Sequence, residues 1–112
     1  MPERPLTFET KDGPFADSTA MELHGPVLIS NLFNLQAALR SEESKVLLVD
    51  LSDVPYMDSA GLGTLINAYV SRQNRGKSIA IIAPNERIQA LLKVTKMDTV
   101  LPIFKNTADV AV

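Results

Sequence analysis

The sequence predicts a single α/β domain with a mixed sheet of about four or five strands and about four helices, in the order β-β-α-β-α-β-α-β-α. Strand and helix patterns alternate through the second half of the chain, which is typical of right-handed crossovers onto a partly parallel sheet. The first two strand candidates have no helix between them, which predicts an antiparallel pair. A length of 112 residues fits one domain, so we expect residues 1–112 to fold together, with residues 1–5 flexible.

The strands are predicted from two kinds of apolar pattern. The first two candidates alternate apolar and polar residues, as half-buried strands do, and Asp12-Gly13-Pro14 between them is typical of a turn. The next two are nearly continuous apolar runs, which indicates strands covered on both faces. The last contains Pro102, which favours an edge position. The predicted strands span residues 6–10, 18–23, 46–51, 78–83 and 100–104.

Helices are predicted where apolar residues recur at intervals of three and four. The strongest pattern begins near Ser59 and ends at Gly76, a residue type that often stops a helix. Its apolar stripe consists of Leu62, Leu65, Ile66, Tyr69 and Val70. Ser30 or Asn31 is a candidate cap for the first helix. The predicted helices span residues 31–40, 59–76, 86–96 and 107–112.

Composition and charge argue against several classes of function. The formal net charge is −2 and the basic residues are scattered, whereas direct binding of nucleic acid needs a basic surface. The chain has no cysteine and no clustered metal-ligand spacing, so we predict neither a metal nor a cofactor. His24, the one histidine, is interpreted as a strand-end residue. Because no nucleophile has a base at a motif spacing, we expect no catalytic residues and no enzyme.

The chain also lacks the patterns of membrane and exported proteins. No apolar run reaches the roughly 20 residues that are needed to cross a bilayer. The start, Met1 to Pro5, has no apolar segment behind a basic region, which a signal peptide would have. We therefore expect a cytoplasmic protein without membrane insertion.

The stretch Leu51 to Gly63 is the most informative part of the sequence. A buried strand ends there, a short loop follows, and a helix begins near Ser59. This order places Asp58 and Ser59 at the carboxyl edge of the sheet, where ligands and partners dock in open α/β sheets. Phosphorylation would add about −1.5 to −2 charges at a helix amino end, which tolerates negative charge. We therefore predict that a phosphate on Ser59 blocks a partner without unfolding the domain.

At this point the chain resembles the STAS domain family, and within it the bacterial anti-sigma factor antagonists. The resemblance runs from about Thr7 to the end and rests on strand 46–51, the hexapeptide Asp-Ser-Ala-Gly-Leu-Gly at 58–63 and the order of elements. It implies that a serine-kinase anti-sigma factor phosphorylates Ser59. It also implies that the unphosphorylated chain binds this factor and releases the sigma factor, and that a metal-dependent serine phosphatase resets the cycle.

The resemblance further implies a partner-binding surface around the serine, in which Asp58 orients the hydroxyl or contacts the kinase. The predicted surface comprises Tyr56, Met57, Asp58, Ser59, Ala60, Gly61 and Leu62. The chain departs from the family at Leu23 to Leu28. Members of this type often carry a Gly-acidic-apolar-Asp phrase there, near the docking surface, and both acids are missing here.

Each residue of the motif also has a structural interpretation. Asp58 and Ser59 are residue types preferred at helix caps. Gly61 and Gly63 are interpreted as sites of close helix–sheet packing, because their spacing fits no phosphate-binding loop. Thr64 is interpreted as helix surface or packing, and alternatively as a second phosphorylation site.

Two further interpretations concern the flanks of this helix. Alternation predicts that one of Tyr56 and Met57 points inward and the other outward. Arg72, Arg75 and Lys77 are interpreted as a solvated helix end.

A second class of function remains open beside the phosphorylation switch. In it, the chain is a STAS subunit that acts as a structural partner in a stress-signalling complex or a membrane transporter assembly. That function would not need Ser59 to be modified.

Overall fold

The computed structural model describes residues 4–110. Of the segment predicted to be flexible, residues 1–3 lie outside the described residues, and Arg4 forms an ion pair with Asp53 at 3.0 Å. The described chain forms one five-stranded sheet in the order β1-β2-β3-β4-β5. Its strands are β1 (Thr7–Asp12), β2 (Ser18–His24), β3 (Val46–Asp53), β4 (Ser78–Ile82) and β5 (Ile103–Phe104).

The sheet is mixed, as the sequence predicts. β1 pairs with β2 antiparallel, whereas β2, β3, β4 and β5 are parallel to their neighbours. The parallel strands are joined by helices, as parallel connections require. The short β5 lies at the edge, which confirms the position predicted from Pro102.

Three α-helices connect and cover the sheet within residues 4–110: α1 (Phe33–Ser41), α2 (Ser59–Asn74) and α3 (Glu86–Val94). Helix α2 begins and ends as predicted, with Gly76 in the left-handed region just after its end (φ 71°). The last predicted helix is a three-residue 3₁₀ turn at Thr107–Asp109, and residues 111–112 of that prediction lie outside the described residues. A second 3₁₀ turn spans Met97–Thr99.

The main core lies between the helices and one face of the sheet. Side chains of β2, β3 and β4 that alternate toward this face, such as Met21, Val49 and Ile81, are fully buried. The opposite face of β3 and β4 buries a smaller cluster around Leu48 and Ile82. Both faces of the central strands are therefore covered, as their continuous apolar runs predict.

The cap predicted for α1 is wrong. Leu32 occupies the cap position, and no side chain bonds to the first turn of the helix. Asn31 instead accepts a hydrogen bond from the backbone N–H of Leu28 and donates one to the carbonyl of Pro26, each at 3.0 Å. Its amide is therefore engaged with the preceding loop and holds that loop in a compact turn.

The solvated helix end predicted at Arg72 is also wrong. Its side chain is only 1% exposed, and its guanidinium donates to the carbonyls of Ser78 (2.8 Å), Glu42 (3.1 Å) and Ser44. Burial lowers the pKa of Arg72 from its ordinary value, although an arginine keeps its charge in proteins. The prediction is closer for Arg75 and Lys77, which both form ion pairs with Glu43 at the surface.

Candidate functional site

The loop between β3 and α2 ends at Asp58, which caps the helix. Its backbone is extended (φ −94°, ψ −177°), and its Oδ1 accepts a hydrogen bond from the backbone N–H of Gly61 at 2.9 Å. Its Oδ2 accepts a second bond, from the backbone N–H of Ile29 at 3.0 Å. These two bonds, with that of Ile29 contributing most, lower the pKa of the Asp58 carboxyl. The carboxylate is therefore committed to the backbone of two segments.

The loop after β2 lies beside the loop after β3 at the carboxyl edge of the sheet. Val27 and Met57 form an isolated parallel bridge, in which Val27 N–H donates to the carbonyl of Tyr56 and Asp58 N–H donates to that of Val27, each at 3.2 Å. Together with the hydrogen bond from Ile29 to Asp58, this bridge holds the loop after β2 against the start of α2. The two loops form one continuous surface.

Ser59 is the first residue of α2, and its side chain is exposed. It lies at the positive end of the helix dipole, where the first backbone N–H groups have no partner within the helix. A phosphate on this hydroxyl would meet water and a favourable dipole. Because Ser59 is exposed, a larger group on its hydroxyl would displace no buried side chain.

Gly61 permits the close approach of α2 to the neighbouring loop. A Cβ at this position would lie 2.6 Å from the carbonyl oxygen of Val27, so that any larger residue would push the helix start away. Close packing at Gly61 is confirmed, although its neighbour is the loop after β2 and not a strand of the sheet. The same role is wrong for Gly63, because a Cβ there would meet nothing within 4 Å.

The structure divides the predicted partner-binding residues into two groups. Ser59 is exposed, and Tyr56, Asp58 and Ala60 are half-buried, so these four reach the surface. The other three are buried and shape that surface from below: Met57, Gly61 and Leu62. Of the pair at the loop end, Met57 points inward, which agrees with the predicted alternation.

The exposed side of Tyr56 contacts α3. The guanidinium of Arg87 lies over its ring, 4.9 Å from the centroid, within the range of a cation–π interaction. Asn85, which caps α3, donates from its side-chain amide to the carbonyls of Val54 and Pro55. The start of α3 therefore supports the loop that leads to Ser59.

Thr64 is a packing residue. It is 6% exposed, and its hydroxyl donates to the carbonyl of Ala60 at 3.0 Å and accepts from Gln36 Nε2 at 3.3 Å. These contacts join α1 to α2. A kinase would have to reach a buried and hydrogen-bonded hydroxyl to modify it.

His24 lies at the end of β2, as predicted, within a group of charged side chains. Its Nδ1 is 2.8 Å from Asp53 Oδ2 and its Nε2 is 3.2 Å from Glu9 Oε1. The hydrogen bonds to Asp53 and Glu9, in that order, raise the pKa of His24. Each imidazole nitrogen faces a carboxylate, which is the arrangement of an ion-pair cluster.

One group of side chains in residues 4–110 has the donor types and spacing that a metal ion needs. Glu9, Glu22 and His24 bring ligand atoms within 4.8 Å of one another. The sequence did not indicate this group because its members lie on two paired strands. Lys11 Nζ already contacts Glu22 at 3.1 Å, so that a cation of the chain itself balances part of the charge.

In the part of the chain that the structure describes, no helix is long and apolar enough to cross a membrane. Helix α2 is the longest of the three α-helices described and has 16 residues. Its length and burial pattern are those of a helix that covers one face of a sheet.

The fold and the site define a small α/β domain that presents one serine to solvent at a capped helix start. The chain belongs to the STAS domain family, because the sequence model of that family matches residues 5–110. The family recognised from the hexapeptide at 58–63 is thereby confirmed.

Curated relatives carry the names of anti-sigma factor antagonists. A protein of Thermotoga neapolitana, named as a candidate antagonist, is 36% identical over 66 residues, which are 59% of this chain and 58% of that protein. The anti-sigma-B factor antagonist of Listeria monocytogenes is 32% identical over 62 residues, which are 55% of this chain and 54% of that protein. The chain thus matches little more than half the length of these relatives.

Solved structures share the fold over most of their length. The crystal structure of a candidate anti-sigma factor antagonist from Thermotoga maritima has a TM-score of 0.80 at 23% identity and covers 91% of this chain and 89% of its own. The phosphorylated form of the Bacillus cell fate determinant SpoIIAA has a TM-score of 0.68 at 10% identity, with coverages of 91% and 95%. At these identities the likeness establishes the fold.

Proposed function

We propose that this chain is a cytoplasmic anti-sigma factor antagonist and not an enzyme, and that residues 1–112 act as one STAS domain. The unphosphorylated form binds a serine-kinase anti-sigma factor and releases the sigma factor. Phosphorylation of Ser59 by that kinase blocks binding, and a serine phosphatase restores it. The observation that carries this proposal is the exposed Ser59 at the first position of α2, next to an aspartate already bound to the backbone.

The charges around Ser59 explain why a phosphate would act as a block. Segments 25–39 and 54–71, which carry the loops and helix starts beside Ser59, contain no lysine, arginine or histidine, and Arg87 of α3 is already placed over the ring of Tyr56. Neither segment can therefore neutralise a dianion by pairing with it. A partner that covers Ser59 would have to desolvate the phosphate, which costs several kcal/mol for an unpaired ion. The same dianion remains solvated in the free domain.

The names of the relatives and the shared fold support this function. Anti-sigma factor antagonists occur among the sequence relatives, and a protein of the same fold has been solved in a phosphorylated form. Thr64 is a poor substrate for a kinase, because its hydroxyl is buried and hydrogen-bonded. These observations favour Ser59 as the single switch residue of α2.

The test is incubation of the full chain with a serine-kinase anti-sigma factor of the same organism, ATP and Mg²⁺, followed by intact-mass measurement. We expect one added phosphate on the wild type, none on Ser59→Ala, and one on the matched control Ser71→Ala. Ser71 is also an exposed serine of α2, so the control tests the position and not the residue type. Phosphate that persists in Ser59→Ala would contradict the assignment.

Binding to the same kinase completes the test. Ser59→Asp is expected to weaken binding by about 100-fold or more, because the carboxylate must be desolvated, whereas Ser59→Ala retains wild-type affinity. Equal binding by the two variants would overturn the electrostatic block. Tight binding with no phosphate transfer would instead favour the non-switching STAS subunit as the function.

A further inference from the structure

Two large apolar side chains are exposed beside the switch serine. Ile29 is 76% exposed in the loop after β2, and Phe33, the first residue of α1, is 78% exposed. A contiguous exposed apolar patch marks an interaction site, whereas a single exposed apolar side chain carries no such meaning.

Ile29 is tied directly to the switch helix. Its backbone N–H donates to Asp58 Oδ2 at 3.0 Å, and Asp58 is the residue before Ser59. Close contact between Gly61 and Val27 holds the same loop against the start of α2. The position of Ile29 relative to Ser59 is therefore set by the backbone and not by a flexible side chain.

Phe33 lies on the same side as Ser59. Helices α1 and α2 run in the same direction, because each connects parallel strands of one sheet. Gln36 contacts Thr64 across the two helices. One turn earlier on each helix, Phe33 comes level with Ala60, the residue after Ser59.

The two segments that carry these residues contain almost no charge, although Arg87 of α3 borders them at the ring of Tyr56. Segment 25–39 has no acidic or basic residue, and segment 54–71 has only Asp58, in a chain of which 21% is charged. The Asp58 carboxylate is already bound by two backbone N–H groups. Such a surface complements an apolar, uncharged patch and offers little attraction to a basic or acidic one.

We propose that Ile29 and Phe33 form the apolar anchor of the docking surface, and that the serine-kinase anti-sigma factor covers them with an apolar, uncharged patch. This inference rests on the function proposed above and adds the residues and the chemistry of the contact. It also explains the block by phosphate, since a dianion on Ser59 would lie at the edge of an apolar interface. Binding of the unphosphorylated form depends on apolar burial and only weakly on salt.

The test is calorimetric titration of the unphosphorylated full chain with the serine-kinase anti-sigma factor. Ile29→Ala and Phe33→Ala are each expected to weaken binding about tenfold, as central apolar anchors do. The matched control is Val94→Ala. Val94 is 83% exposed but lies at the last residue of α3, at the end of the helix away from the carboxyl edge of the sheet. The Val94→Ala variant should bind the kinase with wild-type affinity, within about twofold.

The outcomes separate the two proposals. If the wild type does not bind the kinase, the proposed function fails. If the wild type binds and both anchor variants bind equally well, the proposed function stands and the apolar anchor is wrong. A change in wild-type affinity of more than about tenfold between 50 and 500 mM salt would also overturn the uncharged contact. Self-association of the free chain that Phe33→Ala abolishes would assign the pair to a second copy instead, and overturn it.

Discussion

Each end of α2 is held by a charged side chain that bonds to backbone groups, but one of these side chains reaches the surface and the other is enclosed. At the amino end, Asp58 accepts hydrogen bonds from the backbone N–H groups of Gly61 and Ile29. At the carboxyl end, Arg72 donates to the carbonyls of Glu42, Ser44 and Ser78. Each charge is bound to a backbone group near it in sequence and to at least one about 30 residues away. Asp58 is half-buried at the surface, whereas Arg72 is 1% exposed.

Under the function proposed above, this difference lets one helix separate stability from regulation. The carboxyl end is fixed from within, because a buried guanidinium joins α2 to the segment before β3 and to β4. The amino end is fixed through its backbone, which leaves the next side chain, Ser59, free in solvent. A modification at this end can change what the surface binds while the other end holds the fold.

The largest expected effect concerns the buried end. Arg72→Met removes three charge-assisted hydrogen bonds and leaves their part-buried carbonyl acceptors without them, so we expect a loss of about 3 kcal/mol in the free energy of unfolding. Urea unfolding of the full chain measures it. The matched control is Arg75→Met, which removes an exposed arginine three residues away and should cost less than about 1 kcal/mol. Equal losses in the two variants would show that Arg72 does not hold the helix end.

The next effect concerns the capping aspartate. Asp58→Ala should lower the free energy of unfolding by about 1 kcal/mol, with a range of about 0.5–2 kcal/mol for the loss of a helix cap. Because the folded pKa of Asp58 lies below its ordinary value of 3.8, its contribution is complete above that value. It is lost as the pH falls through the lower folded pKa. Urea unfolding of both proteins at neutral pH and in acid measures the difference, which should shrink in acid.

A control separates the charge of Asp58 from its shape. Asp58→Asn keeps one acceptor oxygen and retains part of the cap, since asparagine is also favoured at this position. Its stability should depend less on pH than that of the wild type through the acid range. A pH dependence identical to that of the wild type would mean that another carboxyl group is responsible.

The smallest effect is expected at the proposed switch residue, Ser59. Ser59→Glu should change the free energy of unfolding by no more than about 0.5 kcal/mol, because the side chain is exposed and the helix dipole favours its charge. Urea unfolding of Ser59→Glu, measured in parallel with Asp58→Ala, gives this free energy. A loss as large as that of the cap variant would mean that charge at Ser59 disturbs the fold, and that the two ends of α2 are less different than the structure indicates.

Local patterns were sufficient for most of the fold and for the start of α2. Apolar alternation and continuous runs found every strand, and the pair Asp58-Ser59 marked the cap, which the structure assigns to Asp58. The role of Arg72 could not be read in this way, because its partners Glu42 and Ser44 lie 30 and 28 residues away in sequence. Position in the last turn of a helix usually indicates a solvated cation. Only the tertiary arrangement shows that this one is enclosed.

The site could be predicted only in part, because some of its residues are distant from each other in sequence. The hexapeptide at 58–63 gave the serine and its cap, but the surface beside them comes from the loop after β2. Ile29 and Phe33 reach the site only because the parallel sheet places two loops at one edge. Gly61 and Gly63 both belong to the hexapeptide, and the sequence does not distinguish them. Only Gly61 faces a carbonyl of the loop after β2.

The double engagement of Asp58 has a consequence for spectroscopy. The amide protons of Gly61 and Ile29 share one carboxylate, so that their chemical shifts respond to the same local field. A phosphate added to Ser59 changes that field at once in both places. The amide signal of Ile29, which lies 29 positions before Asp58 in sequence, would therefore report the proposed phosphorylation in solution without any attached probe.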